Sequence, residues 1–213
     1  MAAFPPEAPA DCPVCPRLVA YREANRRALP AYFNGAVPSF GDQDCDLLIV
    51  GLAPGVHGAN RTGRPFTGDY AGDLLYQTLA DIGRLEGTYR ADPGDGIRLR
   101  STMITNAVRC VPPQNKPETV EIKACNGFLA ARIGALPKLR AIVALGVVAH
   151  NATLDVFRAK KSAHKFAHGA MHDLAGLRIY DSYHCSRYNT NTGVLTPAMF
   201  RAVFDRVERD LAA

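Results

Sequence analysis

The sequence predicts an α/β fold: a mostly parallel central sheet of about four strands flanked by helices. Two observations lead there. Four short runs are almost continuously apolar, as strands buried on both faces must be. Stretches with helical periodicity alternate with them along the chain, the order that builds parallel sheets. The 213 residues suit one domain with one sizeable core, and no repeat or shift in composition marks a second.

Taken in order, residues 1–11 are rich in Ala and Pro and read as loose. Cys12-Pro13-Val14-Cys15 leads into a helix over 17–29. A loop follows to residue 44, broken by Gly35, Pro38 and Gly41. The first strand is 46–52, with Leu47, Leu48, Ile49 and Val50 in succession. It ends in a sharp turn and a glycine-rich loop, 55–68. A helix over 72–82 carries the stripe Leu74, Leu75, Leu79 and Ile82. The second strand is 103–108, followed by a proline-rich loop, 111–117. Pro117 opens a helix over 118–136. The third strand, 140–145, turns at Gly146 into a helix that runs to 157. The fourth, 177–183, ends at His184. Thr196-Pro197 is a capping residue followed by proline in the first turn. It starts a last helix with the stripe Phe200, Val203, Phe204, Val207 and Leu211. That single stripe needs no second partner, so a monomer is expected.

The net charge of +5 and pI near 9.0 suit a polyanionic partner such as nucleic acid, although many basic proteins have none. The run Arg158, Lys160, Lys161, His164, Lys165 and His168 reads as a solvated surface rather than a phosphate-binding strip. No apolar run approaches the roughly 18 residues that a membrane helix needs. The N-terminus has neither a basic nor an apolar leader region, so a reducing cytoplasm is expected. There, paired cysteines are more often metal ligands than disulfides. Six cysteines are present. Cys12 and Cys15 form a C-x-x-C pair, and fourteen residues separate Cys110 from Cys125. Four thiolates can close a zinc site or hold an iron–sulfur cluster, and spacing does not choose between these. Cys45, beside a strand, reads as a buried apolar residue.

In a parallel sheet, ligands bind beyond the carboxyl ends of the strands. Three motifs fall at such ends. The first is the loop from Gly51 to Asp69, which is neither a Walker loop nor a dinucleotide fingerprint. In it Arg61 and Arg64 are candidates for phosphate contact, Phe66 for stacking on a base, and Asp69 for orienting a water or capping the next helix. The second is Thr105-Asn106-Ala107-Val108-Arg109-Cys110. The third runs from Tyr183 to Gly193 and contains His184, a candidate for hydrogen-bond catalysis, and Cys185.

Together these segments resemble the uracil-DNA glycosylase superfamily, most closely its family 5, the B-type iron–sulfur enzymes of bacteria and archaea. The resemblance runs from Cys12 to the last helix. It implies a hydrolase of N-glycosyl bonds that acts on DNA containing deaminated bases. Uracil is the chief target implied, and hypoxanthine and xanthine are further ones. It implies a [4Fe–4S] cluster on Cys12, Cys15, Cys110 and Cys125. It implies that Phe66 stacks on the flipped base, Asn106 reads its edge beside Gly51 and Ala53, and His184 stabilises the departing base. It also implies that the segment from Ser186 to Gly193, with Arg187 and Asn189, enters the minor groove. Ala53 stands where other branches carry a polar residue that activates water, which leaves Asp69 as the substitute. Cys185 stands where the commoner pattern has proline. Two other readings fit parts of the sequence: a non-catalytic nucleic-acid-binding module with a structural metal, and an iron–sulfur electron carrier.

Overall fold

The computed structural model describes residues 4–213. Its sheet has six strands. Four are parallel neighbours in the spatial order Thr102–Asn106 (β5), Leu47–Gly51 (β2), Ala141–Leu145 (β6) and Leu177–Ser182 (β8). These are the four strands expected from the sequence, within two residues at every end. Two short antiparallel strands, Phe40–Gly41 (β1) and Met171–Leu174 (β7), close the edges against β5 and β8. A separate hairpin joins Leu85–Glu86 (β3) to Arg98–Leu99 (β4). These four short strands went unread because two to four half-exposed residues carry no apolar run.

Side chains alternate across the sheet with period two. Leu47, Ile49, Ile104, Val143 and Tyr180 face one layer of helices, Tyr70–Asp81 (α3) and Pro197–Ala212 (α7), which contribute Leu75, Leu79, Phe200 and Phe204. Leu48, Val50, Met103, Ile142 and Ile179 face the other layer, Thr119–Gly134 (α4) and Val147–Val156 (α5), with Leu129, Ile133 and Leu154. Cys45 is fully buried in that second core, as expected.

Capping fixes the helix starts. Thr196 accepts a hydrogen bond from Met199 N at 3.1 Å. Glu118 and Glu121 form a reciprocal capping box at α4. Pro16 begins the first helix, Pro16–Ala28 (α1), where its missing N–H costs nothing, and a one-turn helix, Ala59–Thr62 (α2), lies within the glycine-rich loop.

The N-terminal stretch corrects its expectation. Residues 1–3 lie outside the described residues, but 4–11 are docked. Glu7 pairs with Arg109 at 2.8 Å and with Arg132, and accepts from Ser39 N at 3.0 Å. Ala8 is buried, and Phe4 packs edge-on against Phe128 with ring centres 4.8 Å apart. Composition suggested looseness because Glu7, the carboxylate that pins the segment to the core, finds its arginine partners more than a hundred residues away.

Candidate active site

The strand ends set the site. Gly51 of β2 pairs in register with Asn106 of β5, so both motifs leave the sheet at one level. His184 follows β8 by two residues. A cleft of about 500 Å³ opens above these ends, lined by Ala53, Asp69, Asn115, Val147, His184 and Arg187 among others. A chamber of about 30 Å³ adjoins it, lined by Ala53, Ala59, Phe66, Asp69, Ala71, Asn106 and His184. Phe66, Asn106 and His184 therefore meet in one place. The chamber is smaller than the sequence reading required, because 30 Å³ holds about one water rather than a base. The space for a nucleotide is in the adjoining cleft.

Glycine makes the close approach possible. A Cβ on Gly51 would lie 2.6 Å from Phe66 Cζ and would strike Asn106 Oδ1. Phe66 is itself in the left-handed region at φ 53°. Strain of this kind persists only where surroundings enforce it. Here Tyr89 Oη donates to Phe66 O at 3.1 Å, Tyr76 Oη donates to Pro65 O at 2.8 Å, and the two tyrosine rings stack at 4.4 Å.

Arg64 belongs to the same brace, and its expected phosphate contact is corrected. The side chain turns inward and is buried. It meets Asp95 through two bonds of 2.7 and 2.8 Å and donates to Thr67 Oγ1 at 2.7 Å. Its guanidinium also lies over Phe40, Tyr76 and Tyr89. Arg61 is exposed, with only its Nε engaged, by His57 O at 2.8 Å. Nothing in the local sequence separates the two arginines, because Asp95 lies thirty-one positions away.

Of the two roles read for Asp69, the structure shows the helix cap. It caps α3, accepting from Gly72 N at 3.1 Å, and its carboxyl lines both cavities. Burial raises its pKa above the usual carboxylate value. Burial alone lowers the pKa of His184 to about 4, so its imidazole is neutral near pH 7. The described residues offer no charged partner to its ring. The His184 ring faces Phe66 nearly parallel, 25° between planes and 5.9 Å between centres.

The segment after His184 is a short helix, Arg187–Asn191 (α6), rather than a loop. Ser186 caps it, accepting from Asn189 N at 3.4 Å. Asn189, expected to face DNA, spends its side-chain amide on His184 O at 2.8 Å. Arg187 lies over the Tyr70 ring at 5.3 Å, and Tyr188 projects with 74% of its surface exposed. Cys185 is fully buried, with Sγ 3.4 Å from Ala71 O. Its side chain fastens the His184 turn to α3, a role that proline would fill with backbone stiffness instead.

Sequence reading missed Asn115, Tyr70 and the wall formed by Gly146, Val147 and Val148. Gln114 and Asn115 are consecutive left-handed residues, a conformation Asn tolerates that the sequence alone does not display.

At the far side of β5, Cys12, Cys15, Cys110 and Cys125 face one void, lined otherwise by apolar groups including Leu18, Val108 and Phe128. All four are free thiols. Burial pushes Cys110 to about 12 and Cys125 to about 11, and repulsion from neighbouring cysteines, Cys12 and Cys15 among them, adds to it. Arg109 N donates to Cys125 Sγ at 3.3 Å, and Arg22 Nη1 lies 3.9 Å from Cys110 Sγ. These donors suit thiolates that a cation has neutralised.

Such a sheet, with this cleft at its carboxyl edge, defines a class. The pattern of the uracil DNA glycosylase superfamily matches residues 38–208, and the chain belongs to that superfamily. Its relatives place it in the type-5 branch. It is 48% identical to the "Type-5 uracil-DNA glycosylase" of Thermus thermophilus, over 93% of each chain. It is 40% identical to that of Pyrobaculum aerophilum, over 94% of this chain and 89% of the relative. It is 43% identical to that of Mycobacterium leprae, over 91% and 88%.

Proposed function

We propose that this chain excises uracil from DNA by hydrolysing the bond between the base and C1′ of its sugar. The meeting of Phe66, Asn106 and His184 around one chamber carries the reading. The extruded nucleotide enters the cleft. The base then slides over Phe66, whose face supplies stacking without reading sequence. Asn106, 3% exposed, turns toward the base edge an amide with both a donor and an acceptor, the complement of a uracil edge.

As the bond to C1′ breaks, negative charge develops on the base and positive charge on the sugar. A neutral His184 donates one hydrogen bond to the base oxygen where the charge accumulates. A donor held in a water-poor site is worth most at that moment. Neutrality suits the task, because the ring then donates without a charged form to desolvate. Asp69, which lines the same two cavities and carries a raised pKa, accepts a hydrogen bond from the attacking water. Ala53 lines both cavities and offers no polar group. That apolar wall, with Val147 and Val148, supports hypoxanthine and xanthine as further substrates. Arg61, Arg187 and Ser186 are proposed to meet the DNA backbone. Tyr188, exposed at the tip of α6, fills the gap the base leaves.

The four cysteines are proposed to hold a [4Fe–4S] cluster, which the adjacent free thiols in one buried void support. When bound, it supplies iron–thiolate bonds that fasten α1 and the N-terminal segment to the start of the 111–117 loop, beside Asn115 in the cleft. DNA is the partner, and no described helix is long and apolar enough to cross a membrane. The test is release of free uracil from a duplex containing one U, compared with duplexes containing hypoxanthine or xanthine. Binding without release would favour a non-catalytic module.

A further inference from the structure

A second group of ligand-type side chains sits at the opposite edge of the sheet from the cysteines. His150 of α5, His172 of β7 and Asp181 of β8 converge, with their ligand atoms all within 4.8 Å of one another. His150 Nδ1 lies 2.7 Å from Asp181 Oδ1, and His172 Nε2 lies 3.0 Å from Asp181 Oδ2. His164 stands next to them, its ring centre 5.6 Å from that of His172.

We propose that His150, His172 and Asp181, completed by His164, bind one divalent ion of the zinc class.

Two imidazoles and a carboxylate are a donor set that zinc takes, with a fourth position left for another ligand. A tetrahedral ion with arms of about 2.0 Å spaces its ligand atoms by about 3.3 Å. Asp181 stands closer than that to both histidine nitrogens, at 2.7 and 3.0 Å, and all three ligand atoms lie within 4.8 Å, so seating the ion draws the carboxylate back and the rings together, with His164 turning its ring in. As the ion enters, the protons now held between Asp181 and His150 Nδ1 and between Asp181 and His172 Nε2 leave those nitrogens through solvent, and each ring keeps one proton on its other nitrogen. The outer contacts of a metal site are in place. His150 Nε2 lies 2.9 Å from His164 O, and Ala167 N donates to Asp181 Oδ2 at 3.4 Å. A metal-bound histidine ordinarily gives its other N–H to a backbone carbonyl in this way. His150 and Asp181 are buried, whereas the His172 side chain keeps 11% exposure and gives the ion a way in.

The site fastens a functional element. The loop 158–168 carries the exposed Lys160, Lys161 and Lys165. It is tied to α5 through His164 O, to β8 through Ala167, and to the residue after β8 through His168, whose Nδ1 accepts from Tyr183 N at 3.1 Å. His184 is the next residue. An ion here holds a basic loop against the strand end that presents His184.

The experiment is equilibrium dialysis of the cluster-loaded protein against zinc chloride, with metal content and X-ray absorption at the zinc edge. One zinc per chain beyond the iron is expected, with nitrogen and oxygen neighbours only, and an upward shift in Tm. His172→Ala, on an edge strand, should lower zinc affinity by about tenfold or more and leave iron content unchanged. His164→Gln is the milder second variant, in which zinc affinity falls while Tm without zinc holds. Absence of retained zinc, sulfur in the coordination sphere, or parental zinc affinity in both variants would overturn the proposal.

Discussion

Phe66 and His184 face each other across 5.9 Å with their rings only 25° from parallel. A base stacked on Phe66 needs roughly 3.5 Å of clear space above that ring. The pair is therefore a closed jaw: the base must enter from the cleft side and the His184 ring must turn aside, its N–H toward the base edge.

Gly51 holds the hinge of that jaw. Gly51→Ala places a methyl group on Phe66 Cζ and Asn106 Oδ1. Uracil excision measured under single-turnover conditions should fall about tenfold or more, because misplacement by an ångström costs that much or more. Iron content and DNA affinity should change little.

The two loop arginines separate cleanly. Arg64→Ala strands the Asp95 carboxylate in the interior and should cost about 3–5 kcal/mol in denaturant unfolding. Arg61→Ala should leave stability within about 0.5 kcal/mol. It should weaken DNA binding at all sequences and lower the salt slope by about 1. A reversed pattern would restore Arg64 to the DNA face.

Protonation acts on stability with opposite signs at two groups. His184 has a folded pKa of about 4, below the unfolded value of about 6.5. The unfolded chain takes up the proton first, so this group lowers stability as pH falls from about 6.5 to about 4 and is neutral above that window. Asp69 is raised, so it adds stability as pH falls through its folded pKa. Urea titrations from pH 7 to 4 should show a smaller loss in His184→Ala than in the parent. Excision should fall as Asp69 takes up its proton, and Asp69→Asn should flatten that limb.

Cys125→Ser should abolish the brown colour and most of the iron, and release α1 to proteolysis, whereas Cys45→Ala should keep both colour and iron. Iron retained in Cys125→Ser would remove that thiol from the cluster.

How far the sequence told this in advance depended on range. Four apolar strands and five long helices follow local patterns, and all nine are in place. So are the three strand-end motifs, because parallel strands put their carboxyl ends on one edge. What local pattern did not reveal was pairing across the chain. Arg64 and Asp95, Glu7 and Arg109, and Asn189 and the carbonyl of His184 each decide what a charged or polar side chain does. In each case the partner is set by packing. The short helix α6 was hidden for a similar reason: its five residues are stabilised by the Ser186 cap rather than by any apolar stripe.

The central claim, that His184 promotes departure of the base rather than merely completing the fold, is tested by one comparison. Free uracil released from a single-U duplex is measured for the cluster-loaded parent and for His184→Ala, at enzyme concentrations that saturate the DNA. The parent should liberate uracil and leave an abasic site. The variant should bind within about twofold while excision slows by about a hundredfold, the usual loss for one transition-state donor. Equal rates, or a parent that binds the duplex and releases no base, would contradict it.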